Sequence, residues 1–218
     1  MIDTDRRADA DDAAHLSAAL RLLAAGGALT VAVVVPGTRE VLHRLDEAWY
    51  AEVQRHRTPA MATASKVLDV AFGTTIDWTV RAAVTAALLR QRRWAALGAW
   101  AATIVLGEVS VGPLKAVVNR ARPPDPLART SQTSYPSGHA LAAATTAPGL
   151  VLALLPPGPA RQRWLVVGLG AAGATALSRT YLNAHWLSDS LGGAALGVGY
   201  ALAAPPLVRA AVRRRRTR

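Results

Sequence analysis

Six apolar runs, at residues 16–35, 66–89, 94–112, 140–155, 164–177 and 190–208, set the terms on which this chain can fold. Most approach the ~20 residues that a helix needs to cross a bilayer, where every backbone polar group must be satisfied within the segment. They are built from Ala, Val, Leu and Gly. The whole chain is 51% hydrophobic with a mean hydropathy of +0.21, too apolar for an ordinary soluble domain. The expected fold class is all-α, a six-transmembrane-helix bundle.

The segments between the runs differ in kind. Pro36-Gly37 closes the first run, and Pro156-Pro-Gly-Pro159 the fourth. Over 38–64, Val41, Leu42, Leu45, Trp49 and Val53 recur at helical spacing among charged residues. That pattern predicts an additional amphipathic helix, lying in the membrane interface with Trp49 and Tyr50 at headgroup level, or packed on its own protein. Residues 1–14 are expected to be a disordered N-terminal tail, 15–208 one membrane domain, and 209–218 a basic cytoplasmic tail. The first run reads as a retained span and not as a cleavable leader.

The net charge of +11 is carried largely by Arg residues between and after the apolar runs, in 90–93, 161–163 and 213–216. This is the distribution of cytoplasmic membrane flanks, and it disfavours a nucleic-acid partner. Alternation then puts both termini inside, and 113–139 together with 178–189 on the outer face. The chain has no Cys, which excludes disulfides and thiolate-bound metals. Charged residues within the runs need partners. Asp77 and Arg81, four apart, are expected to pair, and Glu108 is expected to face Lys115.

The outer segments hold the chemistry. Ser178-Arg-Thr-Tyr-Leu-Asn-Ala-His-Trp-Leu-Ser-Asp189 places an imidazole and a carboxylate four apart, one helical face, with Arg179 upstream. A carboxylate beside an imidazole fixes its tautomer, which suits a nucleophile or a proton carrier. Lys115 and Arg122 are seven apart, two helical turns, before Pro123. Tyr135-Pro-Ser-Gly-His139 opens an apolar run, and free N–H groups at such a helix start bind anions. Three cations, an N–H nest, two histidines and one Asp suit phosphate, and the cations oppose a divalent metal.

The joint pattern, Lys-x6-Arg-Pro, Pro-Ser-Gly-His and Ser-Arg-x5-His-x3-Asp, resembles the signature of the type 2 phosphatidic acid phosphatase and vanadium haloperoxidase superfamily. It matches at Lys115, Arg122, Pro123, Pro136, Ser137, Gly138, His139, Ser178, Arg179, His185 and Asp189. The resemblance implies a phosphatase that uses no metal and no cofactor. His185 would attack phosphorus to give a phosphohistidine, with Asp189 orienting its ring and His139 protonating the leaving group. Lys115, Arg122, Ser137, Gly138 and Arg179 would hold the phosphoryl oxygens. The apolar runs favour the membrane lipid-phosphatase branch over the soluble haloperoxidases. A site at the outer boundary favours a polyprenyl (undecaprenyl or decaprenyl) diphosphate as substrate. The alternatives are a phosphatidylglycerophosphate or phosphatidate phosphatase, or a non-catalytic lipid-binding or transport protein. Arg129 would touch a second phosphate or lie solvated in its loop. Trp186 is expected at the membrane interface, turned away from the phosphate.

Overall fold

The computed structural model describes residues 2–216, with side chains from 10 to 215. Among the described residues there are eight helices and no strand. They are α1 (Ile2–Val34), α2 (Pro36–His56), α3 (Pro59–Ala71), α4 (Thr74–Arg90), α5 (Trp94–Val118), α6 (Gly138–Leu154), α7 (Pro159–Tyr181) and α8 (Leu187–Arg216). Three of them, over Ala10–Val34, Trp94–Val118 and Leu187–Arg215, are long and apolar enough to cross a membrane, and Gly138–Leu154 is a shorter apolar helix.

The bundle is arranged around α8. Of its most apolar stretch 61% is buried, against 17% for α1 and 11% for α5. It packs on α1, α5, α6 and α7. Small residues permit this. A Cβ on Gly193 would stand 2.6 Å from the Ser137 carbonyl oxygen, and one on Gly197 2.6 Å from that of Leu141. Side chains at these two positions would hold α6 and α8 apart. The other helices turn Val31, Val105, Val109 and Val166 outward, as a bundle facing lipid does.

Several expectations are corrected. The run 66–89 is two helices, because α3 stops at Ala71 and α4 starts at Thr74, with Phe72 and Gly73 between them. Residues 2–14, expected as disordered tail, continue α1. Arg161 Nη2 donates to Asp11 at 2.9 Å, and Arg209 Nε to Asp12 at 2.8 Å, so the acidic start is tied to α7 and α8. The basic tail likewise continues α8 as far as Arg216.

Arg81, 2% exposed, holds Asp77 at 2.8 Å as expected. Glu108 does not face Lys115: it accepts from Arg81 Nη1 at 2.5 Å. Thr146 Oγ1 accepts from Arg81 Nε at 2.9 Å. A buried guanidinium recovers its lost hydration only through several such partners. The amphipathic segment is helical, as α2, yet Val41 and Leu45 are exposed and the buried residues are Asp46 and Val53.

The α6–α8 contact yields a stability test. Gly197→Val would push a side chain into Leu141 O and Ala144 Cβ, and overpacking of this kind costs about 1–3 kcal/mol. No atom of another helix lies within 4 Å of a Cβ at Gly170, so Gly170→Val serves as control. Thermal unfolding in detergent should show a clearly lower midpoint for Gly197→Val alone. Equal midpoints would contradict the packing.

Candidate functional site

The loop 182–186, between α7 and α8, carries His185 and is pinned from three directions. Gln54 Nε2 donates to Asn183 Oδ1 at 2.9 Å, and Arg57 Nη2 to the same oxygen at 2.5 Å. Leu127 N donates to Leu182 O at 2.8 Å, and Asn183 Nδ2 to Asp125 O at 3.1 Å. Ala184 N and His185 N both reach Arg179 O, at 3.0 and 3.2 Å. His185 precedes α8, so its partnership with Asp189 arises from the first turn of that helix and not from a shared helical face. Asp189 accepts from Trp186 N at 2.9 Å, the reach-back of an acidic residue at the third helical position.

The His185 ring lies between Arg122 and Asp189, in hydrogen-bond contact with Arg122 alone. Its Nδ1 stands 3.7 Å from Asp189 Oδ2, and its Nε2 lies 3.1 Å from Arg122 Nη1. A guanidinium has donors and no acceptor. The Arg122 contact therefore assigns the bare lone pair to Nε2 and the proton to Nδ1, toward the carboxylate. Burial pushes the His185 pKa down from 6.5 to about 4, with Asp189 opposing the shift and Arg122 and Arg179 adding to it. The ring is neutral at ordinary pH.

Lys115 and Arg122 come together, though not on one helix. Asn119 adopts the left-handed conformation, with φ 41°, and ends α5 at Val118, so Arg122 lies in the following loop. The loop folds back instead. Lys115 Nζ and Arg122 Nη2 donate to the same Thr133 carbonyl, at 2.8 and 2.7 Å. Arg122 also reaches Ser131 and Ala184 O. Burial lowers its pKa.

Ser137 caps α6, and its Oγ accepts from Ala140 N at 3.4 Å. Its own N–H donates to Asp189 O at 3.0 Å, which fastens this helix start to that of α8. Apart from its chain neighbours and its own helix backbone, nothing lies within 4 Å of where a Cβ on Gly138 would stand, so packing does not require that glycine. Beside it, His139 is 29% exposed in its side chain, with Nε2 3.4 Å from Asp69 Oδ1. Arg179, 1% exposed, donates Nη1 to that same oxygen, while its buried Nε has no protein acceptor. Arg122 and Arg179 are both within electrostatic reach of His139 and His185. All eight nominated residues thus converge at one end of the bundle. Among the described residues, no group of three or more His, Asp or Glu side chains is placed to hold a metal ion.

Sequence reasoning missed a second layer. Arg120, buried, donates Nη1 to Asp189 Oδ1 at 2.9 Å and to Ser188 Oγ at 2.7 Å, and Nη2 to Asp46 Oδ2 at 2.7 Å. Asp46 accepts from Ser188 N at 2.9 Å as well. Trp186 is packed inside the protein and does not stand exposed as an interfacial anchor would. It is 8% exposed, donates Nε1 to Ala121 O at 2.9 Å, and lies against His43, Tyr50 and Arg120. Asp69 was likewise missed. Its only sequence signal was a carboxylate inside an apolar run. Arg129 is exposed in its loop.

Comparison with known proteins bears on the fold and on the segment that carries the motifs. The family model of the PAP2 superfamily matches residues 93–213, more than half of the chain and the part holding all three motifs. No curated protein sequence matches. One solved structure, described as the first transmembrane PAP2-type phosphatidylglycerolphosphate phosphatase from Bacillus subtilis, superposes with a TM-score of 0.70 at 22% identity, covering 90% of this chain and 96% of that one. At that identity the likeness speaks for the fold, and the motif-bearing segment speaks for the lineage: the chain belongs to the PAP2 superfamily.

Proposed function

We propose that this protein is an integral membrane phosphatase acting on a lipid-linked phosphate or diphosphate. The observation that carries the reading is the His185 ring, whose Nε2 faces Arg122 while Nδ1 faces Asp189. An oriented neutral imidazole beside two guanidinium groups is equipped to attack phosphorus, because phosphoryl transfer depends chiefly on positioning and charge stabilisation.

In the proposed cycle, Lys115, Arg122, Arg179, the Ser137 hydroxyl and the Gly138 N–H hold the phosphoryl oxygens. His185 Nε2 forms a bond to phosphorus as the bond to the leaving oxygen breaks, and His139 gives that oxygen a proton. The N–P bond of the phosphohistidine is then broken by water, with His139 taking the water's proton. Phosphate leaves and His185 is restored. Asp189 keeps the proton on Nδ1 and faces the positive charge that the ring acquires. The buried Arg120, Asp46 and Ser188 hold Asp189 in place. No metal enters this scheme.

Six crossings follow if α3 and α4 together make one, alongside α1, α5, α6, α7 and α8. The positive-inside distribution then turns the site outward and leaves both termini in the cytoplasm. The exposed Val41 and Leu45 of α2 suit a helix lying in the interface. A site at the outer boundary favours a polyprenyl diphosphate. Phosphatidylglycerophosphate fits the fold as well, because the solved structure it resembles is described as a phosphatase for that lipid.

The purified protein in detergent with EDTA should release phosphate from one or more of polyprenyl diphosphate, phosphatidylglycerophosphate and phosphatidate. His185→Ala should reduce release by ~10³-fold or more, and vanadate should inhibit. No release from any lipid would refute the reading, and strict Mg²⁺ dependence would refute the metal-free scheme.

A pH profile tests the nucleophile's environment. With a folded pKa of about 4 against ~6.5 in an unfolded chain, the unfolded state binds more protons between those values. Stability contributed by His185 therefore falls as pH drops from 6.5 toward 4. Per folded molecule, kcat/KM should keep a competent nucleophile until near pH 4, after correction for the substrate phosphate, whose second pKa is about 6. A nucleophile limb centred near 6.5 would contradict the buried, neutral ring.

A further inference from the structure

Asp69 belongs to none of the three motifs, yet a single oxygen of its carboxylate meets two residues that do. Oδ1 accepts from Arg179 Nη1 and stands 3.4 Å from His139 Nε2. Asp69 reaches them from the last turns of α3, two helices ahead of the family-matched segment. A carboxylate inside an anion site opposes the binding of phosphate, so its presence needs a compensating role.

The charges facing His139 supply one. Burial, Arg179 from α7 and Arg122 from the loop after α5 act against a proton on the ring and together hold its pKa below the usual imidazole value, while Asp69 acts for the proton. From α4 and α5, Asp77 and Glu108 line a cavity of about 190 Å³ that also borders His139 and Gly138. Both of these carboxylates are bound to Arg81, at 2.8 and 2.5 Å. From α8, Asp189 is engaged by Arg120 and Trp186 N. Among the described residues, Asp69 is the one carboxylate with an oxygen within 4 Å of a His139 ring nitrogen. A general acid must carry its proton at the working pH, and two guanidinium groups with partial burial disfavour that form.

We propose that Asp69 is a positioning residue that favours a proton on His139 against its cationic neighbours and aims the ring for the leaving group, and that gives up Arg179 to the phosphoryl oxygens when substrate binds. The proposal rests on the phosphatase reading above. The proton balance is simple. The His139 imidazolium gives one N–H proton to the leaving oxygen as the P–O bond breaks, becomes neutral, and regains a proton from the attacking water in the second step. Asp69 remains a carboxylate throughout. The 3.4 Å contact at Nε2 is long for a hydrogen bond, so a leaving oxygen can replace Asp69 without a large penalty. Arg179 fits the same exchange, since its buried Nε has no protein acceptor.

The test is the pH dependence of kcat and kcat/KM for the parent, Asp69→Asn and Asp69→Glu, with one lipid monophosphate and one activated aryl phosphate. In Asp69→Asn the alkaline limb should move to lower pH by about one unit or more, the scale of a lost charge partner. At pH 7.5 its kcat on the lipid should fall about 10–100-fold, with a smaller loss on the aryl phosphate, whose leaving group needs little protonation. KM for the lipid should not rise, because Arg179 loses a competitor. Asp69→Glu should keep the parent's limb to within about half a unit and recover most of the activity. The limb is a property of the active molecules, so a poor yield of folded variant does not obscure it. An unmoved limb in Asp69→Asn, an equal loss on both substrates, or an Asn-like limb in Asp69→Glu would overturn the proposal. If the parent itself releases no phosphate, the phosphatase reading has failed. If the parent is active and the limb stays put, only the role of Asp69 has failed.

Discussion

Holding several cations together at one end of an apolar bundle is the constraint that shapes this structure. Bringing a guanidinium out of water is costly unless carboxylates or several hydrogen bonds replace its hydration. The chain answers in two ways. Arg81 is matched by Asp77 and Glu108, Arg120 by Asp46 and Asp189, and Arg179 by Asp69. Arg122 and Lys115 are held by neutral carbonyls, above all that of Thr133. A carbonyl orients a cation and leaves its charge in place. The first group therefore builds the scaffold, and the second keeps a positive field available to an anion. Arg179 sits between the two classes because its carboxylate partner also meets His139.

The helix packing and the site depend on the same contact. Gly193 lets the start of α8 approach the Ser137 carbonyl, and Ser137 N then donates to Asp189 O at 3.0 Å. That single approach fixes the distance between the Ser137-Gly138-His139 corner and the His185–Asp189 pair. Elements before the family-matched segment brace it from outside. Asp46, Gln54 and Arg57 of α2 and the following turn hold Ser188 and Asn183, on either side of His185. The Tyr135 hydroxyl meets Thr30 of α1 at 2.8 Å.

Much of this was legible in the sequence. Apolar runs announced the helices, and three spaced motifs nominated the eight residues that the fold gathers. Other features failed for physical reasons. A seven-residue spacing suggested that Lys115 and Arg122 share a helical face, but Asn119 ends the helix between them, and the loop joins them through Thr133 instead. Asp46 is one of the charged residues interleaved with the apolar positions of 38–64. Its spacing to Leu42, Trp49 and Val53 put it on the apolar stripe, and that was the available signal. Nothing local marked its partner, because Arg120 lies 74 residues away. Trp186 looked like an interfacial anchor, since composition does not say that His43 and Tyr50 would cover it. Asp69 and Glu108 show the same limit: a carboxylate in an apolar run announces that it has a partner without naming which one.

The central claim is that His185 Nε2 becomes covalently bonded to phosphorus. Rapid acid-free quenching of the enzyme with a lipid substrate carrying labelled terminal phosphate tests it most directly. The expected result is a labelled protein whose phosphate is stable in base, labile in acid, and mapped to His185, with no label in His185→Ala. Turnover without any labelled protein under conditions that slow the second step, or label mapped to another side chain, would contradict it.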